Sequence, residues 1–210
     1  MFLFYYYLYL TGRSVKKYKT MSPRTEAQFE NIRKEKTSLI LQTALSLFAT
    51  HGYASTSVSM IAREAGISKG LLYNYFEKKE DVLIRIIMDG LKQFLGLLQV
   101  EDEQNVKKEE IIRFVDENVV MIKKNMPFYK MYFALMFQPD VFSTVQDVAL
   151  KYFEDVLGVL VNYYIQKGFE DPYEKARFLF AVFDGVAIHY ISDPEGFPLD
   201  KARDLLIELL

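Results

Sequence analysis

Cysteine is missing from the 210 residues of this chain, and histidine occurs only at His51 and His189. The first absence excludes a disulfide framework and thiolate metal sites, and it suits a reducing cytoplasm. The second leaves no clustered imidazoles with metal-ligand spacing, so no metal site is expected. The sequence holds no Ser-His-Asp or Cys-His arrangement, no glycine-rich phosphate loop and no alternating strand pattern. No enzyme activity and no cofactor are therefore expected, and the fold class reads as all-α. Internal repeats are absent too.

What is present is an apolar half, enough for a substantial core. The net charge of −2 conceals a division. Residues 1–80 hold 12 Lys or Arg against 6 Asp or Glu, whereas residues 81–210 hold 14 against 22. A basic head suits phosphate neutralisation, and an acidic body suits a part that points away from DNA. The opening run MFLFYYYLYL is too short to span a bilayer, which takes about 20 residues. It also lacks the preceding basic region and the small-residue cleavage site of a secretory signal. Residues 1–20 are expected to be a non-native or disordered extension, with Met21 beginning the native protein. Counted from Met21, the head to Glu80 holds 8 basic and 6 acidic residues, so the sign of its charge survives. The alternatives for this segment are an extra packing segment and a membrane-surface anchor helped by Arg13, Lys16, Lys17 and Lys19, which would make the chain a membrane-associated helical adaptor; an all-α enzyme without a recognisable catalytic motif is the other rival reading.

The most informative stretch is Thr56 to Glu80, TSVSMIAREAGISKGLLYNYFEKKE. Ser57 is a good N-cap type for a short helix that buries Ile61, Ala62 and Ala65. Gly66 ends that helix by supplying a left-handed backbone, and Ile67 plugs the turn. Ser68 starts a second helix in which Leu72 and Phe76, four apart, face inward. Its remaining sides carry Lys69, Gly70, Leu71, Tyr73, Asn74 and Tyr75, a face with few acids that suits close approach to a sugar-phosphate backbone. Ser57, Ser59, Tyr73, Tyr75 and Lys79 are candidates for phosphate oxygens, with amides near Ser68 adding helix-terminus contacts. Lys69 is the candidate reader of guanine, Asn74 of adenine, and Leu71 of a thymine methyl. One such head reads only a few base pairs, so a dimer on a palindromic site is expected.

Phe48, Gly52, Thr56, Ser57, Ile61, Ala62, Ala65-Gly66-Ile67-Ser68-Lys69-Gly70, Leu72-Tyr73, Tyr75-Phe76, Lys79 and Glu80 together resemble the DNA-binding domain of tetracycline-repressor (TetR) family transcriptional regulators. The resemblance covers roughly Lys36 to Leu83. Two positions depart from it: Leu71 stands where the family usually has a small or hydroxylated residue, and Lys78 where it often has a serine-like cap. The family implies a cytoplasmic, ligand-responsive regulator, most simply a repressor released from a double-stranded DNA operator by a small inducer. It implies a helix-turn-helix domain at residues 21–80 and a helical ligand-binding and dimerisation domain at residues 81–210. It also implies that the inducer tilts the helix joining the two and so separates the heads of a homodimer.

Helical periodicity beyond and before the motif supports that layout. Helices are expected at about 34–50, 79–98, 108–125, 128–137, 141–167, 172–191 and 199–210, with EDEQNVKK as a loop and Pro127 stopping the helix before it. Gly90 and Gly96 either bend the 79–98 helix or admit a close neighbour. Phe94, Met121, Phe133, Phe137, Phe153, Tyr164 and Phe183 are the candidates to line a pocket for a mostly apolar inducer. Asp184 and His189 stand out as polar residues in an apolar helix. Phe178, Ala181, Val182, Gly185, His189, Leu205, Leu206 and Leu209 are the candidate dimer contacts, pairing the last two helices with their mates as the family implies.

Overall fold

The computed structural model of the chain describes residues 26–210; the expected extension at 1–20 and the start at Met21 lie outside the described residues. Among the described residues there are nine helices and no strand. In chain order they are α1 (Glu26–His51), α2 (Val58–Glu64), α3 (Lys69–Tyr73), α4 (Lys79–Leu95), α5 (Lys108–Lys124), α6 (Met126–Met136), α7 (Pro139–Gln166), α8 (Pro172–Ser192) and α9 (Leu199–Glu208). The chain divides into two units, residues 1–35 and residues 36–210. Of the first, only residues 26–35, the opening turns of α1, are described.

In the second unit, α1 buries Ile40, Ala44, Leu45 and Phe48, one stripe at helical spacing. These residues pack with Ile61 and Ala62 of α2, Leu72 and Phe76 around α3, and Val82, Leu83, Ile86 and Ile87 of α4. The same cluster continues into Tyr132, Leu135, Val141 and Val145 of α6 and α7. The core under α1–α4 is thus not sealed off at residue 80. Gly90 shows why α4 and α6 lie so close: a Cβ built on it would stand 2.2 Å from Cε2 of Tyr132. The Tyr132 hydroxyl donates to the Ile87 carbonyl at 3.1 Å, one turn earlier on α4. Close packing, the second reading of Gly90, is what the fold uses there.

A second cluster joins α5, α7, α8 and α9 around Phe114, Leu160, Tyr163, Leu179, Phe183 and Leu206. A third, smaller one holds Ile122, Tyr129, Ala187 and Ile191. α5 ends at Lys124, before Pro127, and Pro127 itself sits in the first turn of α6, where its missing N–H would have no partner anyway. Pro139 and Pro172 likewise open α7 and α8. The loop before α5 is tied down by the buried Glu110, whose carboxylate accepts the N–H of Lys107 at 2.8 Å and of Glu101 at 2.9 Å. Those backbone bonds hold its carboxyl below the usual range.

Candidate nucleic-acid interface

Local chemistry builds the α2–α3 pair much as the sequence indicates. The Ser57 hydroxyl accepts the Met60 N–H at 3.2 Å, and the Ser68 hydroxyl accepts the Leu71 N–H at 3.1 Å, so each helix starts on a serine N-cap. Between them Gly66 takes a φ of +63°, which a side chain would strain. The Ile67 N–H bonds back to the Ala62 carbonyl at 3.0 Å and closes the turn. Ile61 and Leu72 are fully buried, and this fixes which faces point outward.

The outward face of α3 brings together Lys69, Gly70, Tyr73 and Asn74, all exposed, with Leu71 half-buried beside them. The Lys69 ammonium lies 5.9 Å from the centre of the Tyr73 ring one turn on, a cation–π contact that orients it. No carboxylate among the described residues pairs with it. Ser59 is exposed on α2, and Arg63, also exposed, stands one turn further along the same face. Arg63 was not singled out from sequence, because an arginine beside Glu64 reads as an ordinary solvated charge. Tyr75 is half-buried against the core rather than projecting with Tyr73.

Lys79 takes a different position from the α3 lysine. Its ammonium donates to the carbonyls of Tyr53 at 2.7 Å and Ala54 at 3.3 Å, and lies 4.2 Å from the centre of the Tyr53 ring. It therefore clamps the turn that precedes α2. Lys78 at the N-cap of α4 lacks the serine-like cap of the family, and Asp81 supplies the substitute: its carboxylate accepts the Lys78 N–H at 3.0 Å.

The seven candidate pocket residues are not gathered around one space. A cavity of about 10 Å³, room for about one water, lies among Phe114, Leu160, Leu179, Phe183 and Leu206, and of the seven only Phe183 lines it. Phe94 stacks edge-on against Phe183 at 5.2 Å and against Phe114 at 6.1 Å. Phe153 packs on Phe180 at 4.9 Å, and Tyr164 on Tyr163 at 5.3 Å. Met121 and Phe133 join the small cluster around Tyr129. Phe137, at the end of α6, is 71% exposed. Two buried polar atoms in this region, Asn118 Oδ1 and the Tyr129 hydroxyl, have no partner among the described residues, and burial pushes the Tyr129 hydroxyl up to about 12.

On α8, Phe178, Ala181, Gly185 and His189 recur along one outward face, with Phe178 61% exposed. A Cβ on Gly185 would meet nothing within 4 Å, so the face is open there. Leu205 on α9 and Leu209 at its C-cap are also exposed. His189 stacks on Phe197 at 5.8 Å. Val182 is half-buried against the second cluster, and Leu206 is inside it.

Asp184 flanks the same face, exposed along one side, and loss of water among its apolar neighbours pushes its carboxyl from 3.8 to about 6. A raised carboxyl favours the protonated form in the folded chain. The destabilisation from ionising it is therefore absent below about pH 4 and complete above about pH 6. Asp184→Asn is expected to raise the melting temperature at about pH 8 and to leave it unchanged at about pH 4. An equal rise at both would show that charge is not the cause.

Among the described residues no helix is long and apolar enough to cross a membrane. The family model described as "Bacterial regulatory proteins, tetR family" matches residues 40–86, from the middle of α1 into the first half of α4. An uncharacterised HTH-type transcriptional regulator of Bacillus subtilis strain 168, YuxN, is 56% identical over 54 residues, 26% of this chain and 19% of that one. The fatty acid metabolism regulator protein of the same organism is 32% identical over 76 residues, 36% of this chain and 39% of that one. The chain thus matches well under half the length of either relative. A crystal structure of a protein from Shewanella sp. PV-4, assigned to tetR family transcription regulators, shares the fold with a TM-score of 0.66 at 23% identity, over 83% of this chain and 95% of that one. With two serine-capped helices around a left-handed glycine, residues 40–86 of this chain carry the pattern of the tetR family of bacterial regulatory proteins.

Proposed function

We propose that this chain is a ligand-responsive transcriptional regulator that binds a palindromic double-stranded operator as a homodimer. It acts in the cytoplasm as a repressor, and a small, mostly apolar inducer releases it. Residues 21–80 serve as the DNA-binding head and residues 81–210 as the ligand-binding and dimerisation body. The observation that carries the reading is the outward face of α3, where Lys69, paired with no carboxylate among the described residues, stands with Gly70, Tyr73 and Asn74 on a helix whose other face is locked into the core. That is the division of labour expected of a recognition helix.

The exposed apolar face of α8 and the exposed Leu205 of α9 support dimerisation, since such a face on a regulator of palindromic DNA suits a second copy of itself. For the inducer, the aromatic and methionine side chains of the body supply adaptable apolar contacts, and Asn118 and Tyr129 supply polar atoms to orient it. The cavity around Phe114 and Leu206 holds about 10 Å³, so an inducer entering at that place would have to spread these helices apart. That spreading would give it the difference in affinity between two states which any inducer requires.

A footprint on the DNA flanking the protein's own gene tests the proposal. A protected palindrome that survives excess random DNA is expected, and protection without sequence preference would refute it. Because one relative is a fatty acid metabolism regulator, oleate is the first compound to add to the footprint.

A further inference from the structure

Gln138 stands at the corner between α6 and α7, and its backbone is held there. Its N–H donates to the Leu135 carbonyl at 3.1 Å, and its own carbonyl accepts from Val141 at 3.0 Å and Phe142 at 3.1 Å. Leu135 and Val141, on either side, are fully buried in the cluster that contains Phe48. From this mount the half-buried side chain reaches the turn between α1 and α2. Its Oε1 accepts the Tyr53 N–H at 2.8 Å, and its Nε2 donates to the Phe48 carbonyl at 2.9 Å. The two bonds define which end of the amide is which, since a flipped amide would face donor to donor and acceptor to acceptor.

The turn so gripped leads straight into the recognition pair. The Thr56 hydroxyl donates to the Gly52 carbonyl at 2.9 Å, and Ser57, the next residue, caps α2. From the other side Lys79 of α4 holds the Tyr53 carbonyl. Apolar contacts across the shared core tolerate sliding because they lack direction, whereas an amide bonded at both ends does not.

We propose that Gln138 is a positioning residue for DNA binding: it latches the α1–α2 turn to the α6–α7 corner and thereby sets the separation of the two recognition helices in the dimer. This rests on the reading of the chain as a dimeric DNA-binding regulator. Body motion reaches the heads through this corner as well as along α4.

The test compares the full chain with Gln138→Leu, which removes both bonds, and Gln138→Glu, which keeps the acceptor for Tyr53 and loses the donor to Phe48. The probes are a palindromic duplex selected by the wild-type protein from random-sequence DNA, the same duplex with one half-site scrambled, and one with a base pair inserted between half-sites. Gln138→Leu is expected to weaken binding to the palindrome about tenfold, as loss of two neutral hydrogen bonds suggests. It should leave single half-site binding within about twofold and reduce the loss caused by the inserted base pair. Tyr53 amide exchange should accelerate about tenfold in Gln138→Leu and remain slow in Gln138→Glu. Equal weakening on palindrome and half-site, or a spacing penalty like that of the wild type, would overturn the latch. If the leucine variant does not fold, a Gln138→Glu protein with wild-type spacing penalty and wild-type palindrome affinity overturns it. A wild-type protein that selects no duplex refutes the DNA-binding reading itself, and the latch with it.

Discussion

Lys69→Ala should weaken binding to the selected palindrome by about 5–150-fold, the range that one lost bidentate base contact implies. Lys69 is the first residue of a five-residue helix, exposed, oriented by the Tyr73 ring and, among the described residues, opposed by no carboxylate. Its ammonium can donate to both O6 and N7 of a guanine, and no neighbour on α3 offers a second cation to replace it. The loss should therefore concentrate on one base pair of each half-site, with affinity for random DNA little changed. Gel-shift titration at fixed salt measures this, and repeating it across salt separates the two roles a lysine can play. A uniform loss over all sequences, with the salt slope reduced by about 0.9 per head, would make Lys69 a phosphate contact. Tyr73→Phe is the companion variant. It removes only a hydroxyl from an exposed ring and should weaken all sequences alike.

Phe178→Glu should convert the dimer to a monomer and lower operator affinity by about 30–1000-fold, as replacement of a central aromatic anchor does at an interface. The side chain is 61% exposed in the single chain, beside the open backbone of Gly185 and in line with Ala181 and His189. Buried against a second copy, a glutamate there would lose its water without gaining a partner. Sedimentation at micromolar concentration gives the mass directly. Leu205→Glu, on α9, should act in the same way. A Phe178→Glu protein that remains dimeric would move the interface to another surface, and the exposed Phe142 and Leu150 on α7 would become the next residues to change.

The recognition pair was the most legible part of the chain because its signals are local. A serine cap, a glycine that needs positive φ and apolar residues four apart act within one or two turns, so their meaning survives without a tertiary context. The helix limits in the body also follow the periodic stripes, to within a few residues for α4 through α9. Where α1 begins was less legible. Among the described residues it already runs from Glu26 rather than from near Lys34, because its turns EAQFENIR are mostly polar and exposed and show no apolar period, while their residues are adequate helix formers. The turn of α4 at Gly96 similarly cut short a stripe that continues in sequence to Leu98.

Function at the level of individual residues divides along the same line. Lys69 could be named from sequence because its place on the helix follows from Ser68 and Leu72 alone. Lys79 sits in the same motif, yet its ammonium is spent on the Tyr53 and Ala54 carbonyls, a contact across 26 positions that no spacing reveals. Gln138 carried no signal beyond its place before Pro139, and its partners lie 85 and 90 positions away. Phe94, Phe153 and Phe183 share an apolar character that reads the same whether a side chain packs in a core, lines a pocket or meets a partner. By itself, then, the sequence determined the all-α class, the helix-turn-helix and the place of Lys69 at the start of its second helix, since each depends on neighbours within a turn or two. The tertiary structure alone decided how closely Gly90 admits Tyr132, that the Lys79 ammonium meets the Tyr53 and Ala54 carbonyls, and that the Gln138 amide meets Tyr53 and Phe48. Those outcomes depend on atoms brought together from distant positions, where directional hydrogen bonds and steric fit act only after the chain has folded.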